Sequence, residues 1–182
     1  MFPLITLPGI SGSGRSHWQT LWEAADPAMI RFQPSSWDRP DLDDWISALD
    51  RAIGEAGAPP VLVAHSLACL LVIHWAARRE PSRIKGAFLV SVPDPESPVF
   101  PKVEAPSFYT AAPAKRLPFA TLMIASSNDP YGGVDYARRK ADNWGAGFLI
   151  AGAFGHMNGA SGLADWPQGR MLLEAFSAGL RN

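Results

Sequence analysis

Short apolar runs alternate along the chain with longer stretches in which apolar residues recur every three or four positions. Val61-Leu62-Val63 is too short for a helix and rich in β-branched residues, as a strand buried on both faces requires. Comparable runs at 2–7, 29–32, 84–92, 120–125 and 147–150 predict five more strands, the one at 29–32 being the weakest. Helical spacing links Trp18, Leu21 and Trp22, and again Leu67, Leu70, Leu71 and Trp75. A fuller apolar stripe joins Leu42, Trp45, Ile46, Leu49 and Ile53; Asp41 is placed to cap that helix, and Asp43 and Asp44 complement its first turn. Two further helices are expected over 134–144 and 167–180, the latter with Met171, Leu172, Ala175, Phe176 and Leu180 on one side.

Six strands separated mostly by helices predict an α/β fold: a three-layer α/β/α arrangement around a mostly parallel sheet, in a single domain covering 1–182. Ligands in such sheets bind beyond the carboxyl ends of the strands. The segments that follow strands directly are therefore the ones to search, and they hold the glycine-rich loop 9–14, Trp37, Ser66, Asp94, Asp129 and His156. The stretch 93–118 carries Pro93, Pro95, Pro98, Pro101, Pro106, Pro113 and Pro118, a density that forbids most regular structure, and it is expected to form an irregular rim over the site.

Composition narrows the partners. With 16 Lys and Arg against 17 Asp and Glu, the chain lacks the basic face that nucleic acid or an anionic membrane requires. No apolar run approaches membrane-spanning length, and the start MFPLITLPG has neither the basic onset nor the extended apolar core of a secretion signal, so a cytoplasmic protein with a small-molecule substrate is expected. The single cysteine, Cys69, excludes an internal disulfide and a cysteine metal cluster, and its place past Ser66 suggests a packed helix face. No His, Asp or Glu spacing suggests a metal site, and no cofactor is called for.

Chemistry concentrates between the strand at Val61 and the helix after it. Ala64-His65-Ser66-Leu67-Ala68 places small residues two before and two after a serine, the arrangement of a nucleophile elbow, in which only small side chains clear the neighbouring backbone. Alanine stands where glycine is usual, and Ser66 as a plain helix N-cap is the competing explanation. A serine needs a base to take its proton, and the base needs a third group to orient it. Of the four histidines, His65 sits too near Ser66 in sequence, His74 lies down the following helix and His17 opens the first one; His156, in a glycine-flanked turn after the last strand, is the candidate base. Asp129, in a turn fixed by Pro130, is the favoured acid, with Asp94 its rival. The order Ser66, Asp129, His156 is that of α/β-hydrolases. The loop 9–14 lacks the Lys-Ser/Thr pair and the glycine spacing of phosphate-binding loops, and suits the delivery of a backbone N–H to a developing oxyanion. Trp37, Phe100, Tyr109, Phe154 and Met157 are candidates to line an apolar substrate pocket, though each fits a core as well.

LPGISGSGRSHWQTLWE, VLVAHSLA, SSNDPYG and GAFGHMNGASG together resemble the small serine-hydrolase family typified by the retinoblastoma-binding serine hydrolase and its bacterial relatives, over essentially the whole chain. The resemblance implies a minimal α/β-hydrolase fold without the first two strands of larger members, a Ser66, Asp129 and His156 triad, and oxyanion donors at the backbone N–H groups of Leu67 and Ile10. It also implies hydrolysis of a small ester or amide through an acyl-enzyme. The alternative is a non-catalytic module that keeps the fold and binds proteins through the proline-rich rim.

Overall fold

The computed structural model describes residues 2–110, 113 and 115–180. Its centre is a six-stranded parallel sheet built from β1 (Leu4–Leu7), β2 (Ile30–Arg31), β3 (Val61–His65), β4 (Gly86–Val90), β5 (Ala120–Ser126) and β6 (Gly147–Gly152), in the spatial order β2-β1-β3-β4-β5-β6. The chain runs outward one way from β1 to β2 and the other way from β3 onward. The reversal lies between β1 and β3, where α/β sheets open a crevice at the carboxyl ends of their strands.

Period-two alternation explains the layers. Leu62 and Ala64 of β3, with Ala87 and Leu89 of β4, face one core, while Val61, Val63, Phe88 and Val90 face the other. The first core is closed by α2 (Leu42–Glu55), α3 (Leu67–Arg78) and α4 (Val134–Trp144). The second is closed by α1 (Trp18–Ala25) and α5 (Pro167–Gly179), through Trp18, Trp22 and Leu173 with Trp166 just before α5. Every residue of β3 is buried, and α3 is buried from Leu67 through Trp75, which accounts for its nearly continuous apolar sequence. Asp41 caps α2 as expected, its carboxylate accepting the N–H groups of Asp43 and Asp44.

The strands fall where the apolar runs predict them, with shifted ends. The expected strand 84–92 closes at Val90 because Ser91 turns the chain at φ 56°. The edge strand β6 continues two residues past Ile150, to Gly152, through a register irregularity opposite Ala125 and Ser126. Residues 93–110 are irregular apart from a short 3-10 turn at Pro106–Phe108, and Phe100, Ala105 and Phe108 anchor them on the first core. Among the described residues no helix is long and apolar enough to cross a membrane.

Candidate active site

The central strand and the helix after it create the strained point of the site. Ser66 lies between β3 and α3 at φ 56° and ψ −128°, outside the regions open to ordinary L-residues. Such a conformation costs about 1–3 kcal/mol and persists only where the surroundings over-determine it. Here they do: the Ser66 N–H donates to the Val90 carbonyl at 3.0 Å, and both flanking elements are buried. Ser66 occupies the cap position of α3 without capping it, so the hydroxyl is free for another partner.

That partner is His156. The serine Oγ stands 2.7 Å from His156 Nε2, and His156 Nδ1 stands 2.9 and 3.0 Å from the two carboxylate oxygens of Asp129. A carboxylate only accepts, so Nδ1 carries the imidazole proton and Nε2 is left as the acceptor for the serine hydroxyl. All three side chains are buried. Asp129 is held by its own turn, Oδ1 accepting the Tyr131 N–H at 2.9 Å, and the Tyr131 ring rests against the imidazole with centroids 4.4 Å apart. Asp94 is placed elsewhere: its carboxylate caps a turn at Glu96, and it lines a separate cleft of about 460 Å³ with Tyr136 and Arg139.

The loops carrying Asp129 and His156 are stapled together. Ser126 Oγ accepts the Phe154 N–H at 2.9 Å and donates to Asn128 Oδ1, which also accepts the Gly155 N–H at 2.7 Å. Gly132 is required where it is, because a Cβ there would stand 2.2 Å from the Val92 carbonyl oxygen.

Facing the serine is the loop after β1. A Cβ on Gly9 would stand 2.9 Å from the Ser66 Cβ and 3.3 Å from its hydroxyl, so glycine lets this backbone approach Ser66. Gly9 to Gly12 form a turn closed by the Gly12 N–H on the Gly9 carbonyl at 3.1 Å, with Ser11 at φ 65° and its N–H on the Trp37 carbonyl at 2.8 Å. Behind it, fully buried Gln19 accepts from Ser13 Oγ and donates to the carbonyls of Leu7 and Val63. Among the described residues, neither the Ile10 nor the Leu67 N–H has an intramolecular acceptor, and both residues line the cavity above Ser66.

The cavity holds about 750 Å³. Ile10, Val99, Phe100 and Pro101 give it an apolar wall; Ser11, Ser13, Ser16 and Asn158 give it a polar one, and Glu104 stands at its edge. Of the five pocket candidates from the sequence, Phe100 alone lines it. Trp37 packs edge-on against Phe32 and Trp45 and beneath Gly12. Tyr109 faces the second cleft with the Lys102 ammonium over its ring, Phe154 covers Gly152 at the surface, and Met157 is fully buried in the second core. Aromatic residues after strands serve packing as readily as binding. The smaller wall residues of the proline-rich segment gave no periodic signal.

Two further histidines border the site. His17 opens α1, its Nδ1 accepting the Gln19 N–H at 3.2 Å, and His65 lies against both His17 and His156, with ring centroids at 4.7 and 5.1 Å. Burial first, then Arg31 and His156, lower the His17 pKa to about 4. Burial likewise holds His65 well below the usual histidine range, with His156 and His17 adding to the effect. Cys69 is fully buried in the first core, where burial raises its thiol pKa and keeps it from acting as a thiolate. Among the described residues no three His, Cys, Asp or Glu side chains cluster as a metal site.

A family model described as "Serine hydrolase" matches residues 4–175. A crystal structure from Pectobacterium atrosepticum, described as that of a YdeN-like hydrolase, is 29% identical with TM-score 0.86, over 98% of this chain and 91% of that one. The ydeN gene product of B. subtilis is 18% identical with TM-score 0.77, over 98% of this chain and all (100%) of that one. The monoacylglycerol lipase of Paleococcus ferrophilus shares the fold at 16% identity and TM-score 0.69, over 97% and 93% of the two chains. No curated protein matches by sequence.

Proposed function

The chain belongs to the serine hydrolase family and has the α/β-hydrolase fold, and on that premise we propose that it cleaves a small ester or amide through an acyl-enzyme formed on Ser66. The observation that carries this is the continuous hydrogen-bonded line from Ser66 Oγ through the His156 ring to Asp129.

His156 Nε2 takes the serine proton as Oγ attacks the substrate carbonyl, and the same proton passes to the leaving group when the tetrahedral intermediate collapses. Asp129 keeps the proton on Nδ1 and stabilises the imidazolium that forms between these steps. Water, deprotonated by the same nitrogen, then releases the acid. The oxyanion is received by the N–H groups of Leu67 and Ile10, the first at the N-terminus of α3, whose dipole favours negative charge. Donors fixed before the reaction are worth on the order of a hundredfold or more each, because they need no reorganisation as charge develops. The apolar wall at Val99 and Phe100 suits the hydrocarbon part of a small substrate.

Hydrolysis of p-nitrophenyl esters of graded chain length tests the proposal. Wild type is expected to turn over short and medium chains, with Ser66→Ala reduced by several orders of magnitude at unchanged thermal stability. Equal rates for wild type and Ser66→Ala would refute it.

A further inference from the structure

The loop that carries His156 has no regular structure of its own, yet its backbone is fixed by side chains that the chemistry above does not use. His65 Nε2 lies 2.9 Å from the His156 carbonyl oxygen, and Trp18 Nε1 lies 2.9 Å from the carbonyl oxygen of the next residue, Met157. A carbonyl only accepts, so both rings donate, and neutral His65 must hold its proton on Nε2. The two donors are buried and belong to different elements, His65 to the last position of β3 and Trp18 to the first of α1. Their rings meet edge-to-face with centroids 6.1 Å apart. The carbonyls they grip flank Met157, which stands at φ 49°, with Gly155 at φ 58° on the other side of His156. A backbone in that region does not hold itself in place, and buried carbonyls left without donors are costly.

We propose that His65 and Trp18 are positioning residues that together set the orientation of the catalytic imidazole, an assignment that rests on His156 being the base. The residue beside the nucleophile thus orients the base. Its donor comes from the rigid centre of the sheet, so the serine and the imidazole share one frame of reference. The titratable groups around the His156 ring are Asp129, His65, His17 and Tyr131. With both neighbouring histidines neutral, the brace brings no positive charge against the imidazolium of the intermediate.

His65→Phe keeps a ring and removes the donor; His65→Gln keeps an N–H; Trp18→Phe releases the Met157 carbonyl alone. On an ester substrate, His65→Phe is expected to lower kcat by roughly ten- to a hundredfold, the scale of an ångström-sized misplacement, with KM changed less than about threefold. His65→Gln should recover part of the loss, and Trp18→Phe should lose less than His65→Phe. In the proton spectrum, the downfield resonance of the His156 Nδ1 proton should move or broaden in His65→Phe. Wild-type kcat and an unmoved resonance in His65→Phe would overturn the proposal, as would equal losses in His65→Phe and His65→Gln. If His65→Phe does not fold, His65→Gln and Trp18→Phe carry the same readouts: a moved resonance with lowered kcat supports the brace, and wild-type values in both refute it. Wild type that a fluorophosphonate fails to modify would instead remove the hydrolase assignment itself, and the brace with it.

Discussion

The turn after β3 and the turn after β6 bring Ser66 and His156, the two partners of the proposed proton transfer, to one hydrogen bond, and they are built in opposite ways. β3 is central, paired on both sides and buried at every residue; β6 is the sheet edge, paired only with β5 and partly exposed along its length. Ser66 is placed by its backbone, through a strained dihedral locked by packing and by one hydrogen bond to Val90. His156 is placed by side chains: Asn128 and Ser126 on one flank, His65 and Trp18 on the other, and Asp129 on the ring itself. A nucleophile in the centre of a sheet needs little beyond the fold. A base carried by an edge strand must be tied back by hydrogen bonds, and those bonds are where substitution acts selectively on rate.

The largest effect that sharpens this contrast is at Asp129, the proposed acid. Asp129→Asn leaves the turn its oxygen acceptor but loses the carboxylate that fixes the Nδ1 proton, and kcat is expected to fall by something on the order of 10⁴, as in other triads. Asp94→Asn should leave turnover near wild type, since that carboxylate serves a turn in another cleft. Steady-state kinetics of the two variants check this, and the reverse result would reassign the third member.

How much of this is legible in the sequence divides along the same line. The six strands, the tight turn at Ser66 and the meeting of Ser66, Asp129 and His156 at one edge of the sheet are readable because strand burial, small residues at a tight turn and loop positions after strands are local properties of sequence. Asp94 and Asp129 were separable only in part, since both follow strands; the turn at Glu96 that occupies Asp94 depends on where its side chain points. The roles of His65 and Trp18 were not readable, because each depends on a carbonyl 91 or 139 positions away in the chain. Of the candidates for the pocket, Phe100 joins Val99 and Pro101 in its wall, while Trp37 and Met157 are drawn into the two cores, the alternative the sequence left open for each.

A smaller effect concerns acid stability. The folded protein holds His17 near pKa 4 against 6.5 for the free side chain, so between those values the unfolded chain binds more protons. Stability from this group is complete above about pH 6.5 and is lost as pH falls toward 4, on the order of 3 kcal/mol in all. Burial shifts His65 and His74 in the same direction. His17→Asn keeps an acceptor for the Gln19 N–H and should flatten the fall of Tm with acidification without abolishing it; an unchanged slope would contradict the assignment.

The most direct test of the account is covalent trapping followed by peptide mapping. Wild-type protein treated with a fluorophosphonate should gain one phosphonyl group, located on the peptide that contains Ser66, and His156→Ala should gain it at a rate lower by orders of magnitude. A folded wild-type protein that takes up no label, or takes it up at any other residue, would contradict the assignment of Ser66 as the nucleophile.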